Sequence, residues 1–172
     1  MSPWLEVFRK PADIGDYTAA SWFARIADQL LNRTRFMVAG QPHRFTEIEV
    51  YYKGPEHEDV FAHGDPVQLE TGRWYFHKTR GTYRSGSFKG VDISFGDGKA
   101  HGGFLVRGLE KPDGDLIDGP SLLVDHLIES CGCEGVADLD GQIAVRKIWD
   151  TTSPLHVVVA SDEGREIFAG AR

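Results

Sequence analysis

The sequence predicts an α+β domain, and three observations carry that expectation. Segments between Thr46 and Arg107 alternate apolar with polar residues, the period of a half-buried strand. Ahead of them Trp22, Ile26 and Leu30 recur every four residues, the stripe of an amphipathic helix. Behind them Leu123, Leu127 and Ile128 give a second helix an apolar face. A run of strands with helices before and after it reads as α+β.

Taken in order, residues 1–15 read as an N-terminal arm, because Pro3, Pro11 and Gly15 limit regular structure there. A single domain is expected over residues 16–172. Asp16 is placed to cap a helix running to about Arg33. Phe36–Ala39 reads as a short strand, ended by Gly40-Gln41-Pro42. In the next strand, Thr46–Tyr52, the residues Ile48, Val50 and Tyr52 fall on a core side. Glu47, Glu49 and Tyr51 fall on the other, with roughly 7 Å between alternate residues. Residues 53–71 are rich in Gly, Pro, Asp, Glu and His and read as a loop.

Three more strands follow. Trp74/Phe76 alternate with Tyr75/His77, Val91/Ile93/Phe95 with Asp92/Ser94, and Phe104/Val106 with Leu105/Arg107. If the polar faces share one side of a sheet, Glu49, Tyr51, Tyr75, His77, Asp92 and Arg107 converge on one cleft. Asp118-Gly119-Pro120-Ser121 then opens a helix to about Ser130, with proline near its first position and Gly132 at its end. Ile143–Ile148 and Leu155–Ala160 are the last strand expectations, and the tail from Ser161 is expected at the surface.

The 172 residues fit one domain, and 41% hydrophobic with 26% charged residues is the balance of a soluble protein with a real core. No apolar run approaches the roughly 18 residues needed to span a bilayer, so no membrane partner is expected. The first residues lack a signal peptide's apolar core. Two cysteines, Cys131 and Cys133, do not make a disulfide framework, and a reducing, cytoplasmic location follows as the expectation. The net charge of −7 argues against unspecific binding to nucleic acid by the whole surface. Between residues 73 and 107, however, seven bases against two acids leave +5, so the rest of the chain carries −12. Such a basic middle can face phosphate. Ser85-Gly86-Ser87-Phe88-Lys89-Gly90 reads first as a hairpin turn.

A carboxylate beside aromatic rings, as in Glu49 and Tyr51, suits an enzyme that holds a flat ring and activates water next to it. Pairing with Arg107 would hold Glu49 in place. Cys131-x-Cys133 supplies at most two metal ligands. The cluster His57, Glu58, Asp59, His63 and Asp65 offers ligand types without a zinc spacing. No metal or other cofactor is expected.

Three blocks in order resemble the methylpurine (3-methyladenine) DNA glycosylase family of the alkyladenine type. EVYYKGPEHEDVFAH is similar to that family's E-x-Y-x-G-x-x-D-x-A-x-H block. DISFGDGKAHGGFLVRGLEKP resembles its N-I-x…G-x-x-L-x-R-A-L-E-P block, and IDGPSLLVDHL its G-P-x-x-L-x-x-x-L helix. VRKIWDTTSPLHVVVA echoes its last strands more weakly. The resemblance covers about residues 19–127. It implies a single domain with a curved antiparallel β-sheet and flanking helices; a monomer is expected. It implies hydrolysis of the N-glycosidic bond of a modified, flipped purine, without metal or covalent intermediate. The partner would be damaged double-stranded DNA or a free modified purine nucleoside. By the same resemblance Glu49 deprotonates the attacking water and Arg107 helps hold that water, while Tyr51 stacks on the base and His63 lies against it.

This chain departs from the family pattern in places. Only ten residues separate His63 from Trp74, where the family has a longer connection. Tyr75 or His77 then becomes the second stacking residue. Tyr83, in a longer loop with Arg80, Arg84 and Lys89 as nucleic-acid contacts, is the wedge candidate. The family's pocket asparagine is Asp92 here, and a carboxylate accepts where an amide also donates. A non-catalytic module binding a nucleobase, nucleotide or nucleic acid on the same fold is the alternative.

Overall fold

The computed structural model of the protein describes residues 3–160; the expected surface tail from Ser161 lies outside the described residues. In chain order the helices and strands are α1 (Pro3–Val7), α2 (Asp16–Asn32), β1 (Thr34–Val38), β2 (Gln41–Lys53), β3 (Thr71–Phe76), β4 (Lys78–Thr79), β5 (Thr82–Tyr83), β6 (Val91–Phe95), β7 (His101–Glu110), β8 (Leu116–Asp118), α3 (Pro120–Ser130), α4 (Val136–Ile143) and β9 (Leu155–Val159). Seven strands make one antiparallel sheet in the order β3-β6-β7-β2-β1-β9, with β8 paired to β7. The sheet curls into a half-barrel flanked by helices, an α+β fold. β4 and β5 form a separate hairpin. Its Arg80-Gly81 turn has positive φ at both residues, 52° and 78°, as a tight two-residue hairpin requires.

The curl is held at its ends. Ile148 N–H donates to Gly72 O of β3 (2.8 Å), and Ile148 O accepts from Val157 N–H of β9 (2.6 Å). One residue thus stitches the first strand of the sheet order to the last. Trp74 Nε1 adds a bond to Leu155 O at 3.2 Å, and its ring meets Phe36 at 4.9 Å. Inside the curl lie Phe36, Phe45, Phe76, Ile93, Phe95, Phe104, Val106 and Leu109, with Trp22, Ile26 and Leu30 of α2 and Leu123 and Leu127 of α3 in the same core. The core faces read from alternation in β3, β6 and β7 are buried, and so are Tyr75, Asp92, Ser94 and Leu105 on the other face of the same strands.

Several boundaries differ from the expectation. The first fifteen residues are no loose arm: α1 forms, Trp4 and Phe8 stack at 5.8 Å, and both enter the core with Ile14. Pro3 stands in the first helical turn, where a missing N–H costs nothing. α2 starts at Asp16 with extended Gly15 in the cap position, one residue earlier than expected. β1 does not end in a loop. Ala39-Gly40, with φ of 47° and 80°, makes a two-residue turn, and β2 begins at once with Pro42 paired to Met37. Ile143–Ile148 is no strand. Leu139 and Ile143 are four apart on α4, and Val145, at φ 61°, breaks the run before Ile148. Val50, expected in the core, is 36% exposed.

The end of α3 follows the sequence signal closely. Gly132, at φ 66°, donates to Glu129 O, and Cys133 N–H reaches back to Ile128 O at 2.9 Å, the bond pair of a Schellman stop.

Gly72 offers a test of the closure. It has φ 75°, and a Cβ there would stand 2.3 Å from the Trp149 ring. Gly72→Ala is expected to destabilise the fold by about 2–4 kcal/mol, from left-handed strain plus overpacking beside the Ile148 stitch. Urea unfolding should show the midpoint falling with an unchanged slope.

Candidate functional site

Register places the expected polar residues on one face. Tyr75 pairs with Asp92, Asp92 with Leu105, and Leu105 with Glu49, so one cross-strand row runs through β3, β6, β7 and β2. Side chains of directly paired residues share a face. The next row holds Tyr51, Gly103 and Ser94. Gly103 has to be glycine: its Cβ would lie 2.5 Å from Asp92 Oδ2. The missing side chain is the space in which the Asp92 carboxylate sits.

This face floors a cavity of about 570 Å³. Tyr51, Leu105 and Asp92 line it from the sheet, His77 from just after β3, His63 and Phe61 from the loop after β2, Arg84 and Lys89 from the segment after β5, and residues 118–122 from the end of β8 and the start of α3. The floor is polar and tightly bonded. His77 Nε2–H donates to Asp92 Oδ1 at 2.6 Å, and Gln68 Nε2 donates to Asp92 Oδ2 at 3.2 Å. Asp92 is 1% and His77 7% exposed. Buried polar groups of this kind need such partners. Gly90 leaves room for the imidazole, since a Cβ there would come within 2.9 Å of His77 Nδ1. The His63 and His77 rings are 4.4 Å apart.

Beside the cavity stands the carboxylate. Tyr51 O–H donates to Glu49 Oε1 at 2.6 Å, and Arg107 Nη1 donates to Glu49 Oε2 at 2.8 Å. Arg107 Nε also reaches Glu47 Oε1 at 3.2 Å. The expected pairing of Arg107 with Glu49 is thus present in the geometry. Burial, then the bond to Glu49, raises the Tyr51 phenol well above its ordinary pKa. It is a donor at any ordinary pH, which suits a group that orients a carboxylate.

Two aromatic expectations need correction. Tyr75 does not line this cavity and is 2% exposed, so it presents no open face for stacking. Its hydroxyl accepts from Lys78 N–H (3.3 Å) and donates to His63 Nδ1 (2.9 Å), which makes it a support for His63. Burial pushes its phenol up to about 12. Tyr83 is no free wedge: its hydroxyl donates to Asp140 of α4, Lys78 sits 4.8 Å above its ring, and it packs against the core. Arg80 stands at the exposed tip of the β4–β5 hairpin, outside the main cavity but lining a neighbouring depression with Arg84. Lys89 is held by Asp125 at 3.1 Å.

Sequence reasoning missed Gln68, Phe61 and Phe88. Gln68 had a legible signal: Asp65-Pro66-Val67-Gln68 is a capping box, in which Asp65 accepts from Val67 N–H and Gln68 bonds back to Asp65 N–H. Phe61 sits in a stretch read as loop, and Phe88 in one read as a hairpin turn. Among the described residues no group of three or more His, Cys, Asp or Glu could hold a metal, the stretch His57–Asp65 included. Nor is any described helix long and apolar enough to cross a membrane.

Away from this face His43 of β2 and His126 of α3 meet, Nε2 to Nε2, at 2.8 Å. His43 Nδ1–H donates to Gln41 O, so His126 Nε2–H is the donor of the pair.

The chain is 33% identical over 135 residues to an uncharacterized protein of Acanthamoeba polyphaga mimivirus, an alignment covering 70% of this chain and 62% of the viral protein. The chain thus spans less than two thirds of that relative's length. No family model matches the sequence. No solved structure matches it either.

The histidines set a pH dependence. Burial, first among the causes, lowers the pKa of His43, His63 and His126 below the ordinary 6.5. The unfolded chain then binds more protons than the folded one once pH drops below 6.5, so stability is full above that value and falls as pH passes down through the folded values. Unfolding free energies measured from pH 7.5 to 5 should decline accordingly, and His126→Gln should flatten the slope.

Proposed function

We propose that this cavity hydrolyses the N-glycosidic bond of a modified purine, with Glu49 as general base. The observation that carries the reading is the Tyr51–Glu49–Arg107 arrangement beside a cavity walled by His63, His77 and Asp92. The three-block resemblance to methylpurine DNA glycosylases supports it. A planar base enters against Tyr51 and His63. Glu49, fixed by Arg107, takes a proton from water as the water oxygen bonds to the sugar's anomeric carbon. The carbon–nitrogen bond breaks, and the base leaves with its electron pair and picks up a proton from solvent. Asp92 accepts from His77 on one oxygen and from Gln68 on the other, which fixes both donors, and each oxygen keeps a further lone pair for an exocyclic amino group.

One feature favours the alternative of a binding module without catalysis: both Glu49 oxygens already accept a bond. Each keeps a further lone pair, which is what the hydrolase reading uses. Base release from oligonucleotides and nucleosides carrying hypoxanthine, ethenoadenine or methylated purines separates the two. Wild type should release base, and Glu49→Gln should slow release by about 10²–10⁴-fold while binding changes little. Arg107→Met should slow it less, through loss of orientation. Equal rates for wild type and Glu49→Gln would refute the mechanism; binding without release from any lesion would favour the module.

A further inference from the structure

We propose that the site accepts a single-stranded polynucleotide and rejects a duplex, with the backbone on the Arg84 side and neighbouring bases stacked on Phe61 and Phe88. This rests on the reading of the cavity as a nucleobase site.

A basic segment borders the cavity. From His77 to Gly90 the chain carries Lys78, Arg80, Arg84 and Lys89 and no acid. Arg84 belongs to the main cavity and to two adjoining depressions of about 490 and 410 Å³, one with Thr82, Tyr83 and Phe88, the other with His63, Lys78 and Arg80. The three hollows thus form one track along the basic hairpin. Elsewhere on the rim exposed Asp118 lines the main cavity, while Glu47 and Glu49 are paired with Arg107, and Asp125 with Lys89.

A single strand fits this surface. Its phosphates follow Arg80 and Arg84 while its bases turn toward the cavity mouth. In a duplex the bases next to an extruded nucleotide stay paired and stacked on one another, so they cannot lie on Phe61 and Phe88.

The apolar rim completes the platform. Phe61 and Phe88 line the main cavity, yet they are 75% and 74% exposed. Exposed aromatic rings beside a basic track are the two parts of a single-strand site, where bases stack without sequence preference.

The test is fluorescence anisotropy with the Glu49→Gln protein, which keeps the probe intact. The probe is one labelled DNA oligonucleotide with a central hypoxanthine, used single-stranded and annealed to its complement. The single strand should bind about tenfold or more tightly than the duplex. Phe61→Ala and Phe88→Ala, both at exposed positions, should each weaken single-strand binding by about fivefold or more. Affinity should fall with salt at a log–log slope of about −0.7 per phosphate contact. Equal or tighter duplex binding overturns the proposal, as does single-strand binding that both phenylalanine variants leave unchanged. Two outcomes separate it from the hydrolase reading. Single-strand preference without base release by wild type upholds the proposal and sinks the hydrolase. Base release from a free nucleoside with no binding to either oligonucleotide does the reverse.

Discussion

The site depends on a paired irregularity in the longest strand pair. In β2, His43 and Phe45 are odd-numbered and buried, while the odd-numbered Glu47, Glu49 and Tyr51 face the cavity side. A regular strand cannot do both, because its side chains alternate strictly. The register shifts on either side of Glu47 resolve the conflict. Phe45 pairs with Leu109, Glu47 with Gly108 and Ile48 with Val106, which leaves Thr46 and Arg107 without a register partner. Both strands change face together, and pairing resumes in step. A bulge of this kind re-aims side chains. Here one strand fills the core with Phe45 and then offers a carboxylate and a phenol to the cavity. Arg107, released from the ladder on the neighbouring strand, is the residue that turns to meet them.

Around that frame the cavity is made rigid by absences as much as by contacts. Gly103 yields its space to the Asp92 carboxylate and Gly90 yields its space to the His77 ring. The resulting chain of Gln68, Asp92 and His77 is buried and mutually satisfied, so it is held in one arrangement. The mouth is the opposite. Phe61, Phe88 and Leu122 lie exposed around it on two loops and a helix start. A stiff polar floor under an apolar rim sorts a ligand by its inner edge and grips it by its faces.

Much of this was legible because burial writes a period into the sequence. Alternation found the core faces of β3, β6 and β7, and the proline–glycine punctuation found α3. The polar members Glu49, Tyr51, His77, Asp92 and Arg107 followed from the same alternation, since a residue that is not core on a strand faces the other way. What stayed hidden depends on contacts between distant segments. Trp4 and Phe8 become core only because α1 packs against α2. Tyr75 loses its open face because His63 and Lys78 close over its hydroxyl, and Tyr83 is captured by Asp140, 57 residues away in sequence. Val50 pairs with buried Phe104 yet is 36% exposed, because alternation gives the face of a side chain and not what covers it.

The single-residue stitch at Ile148 has a bearing on how the chain reaches this shape. The first strand of the sheet order cannot be tied to the last until Ile148 and β9 have been synthesised, and β9 pairs with β1 more than a hundred residues earlier. Pairings so far apart in sequence slow folding, because loop closure must precede the contacts that reward it. The curled sheet is therefore an end product. While the chain is still growing, β1 exposes an unpaired edge, and β9, emerging much later, both covers that edge and draws the frame shut.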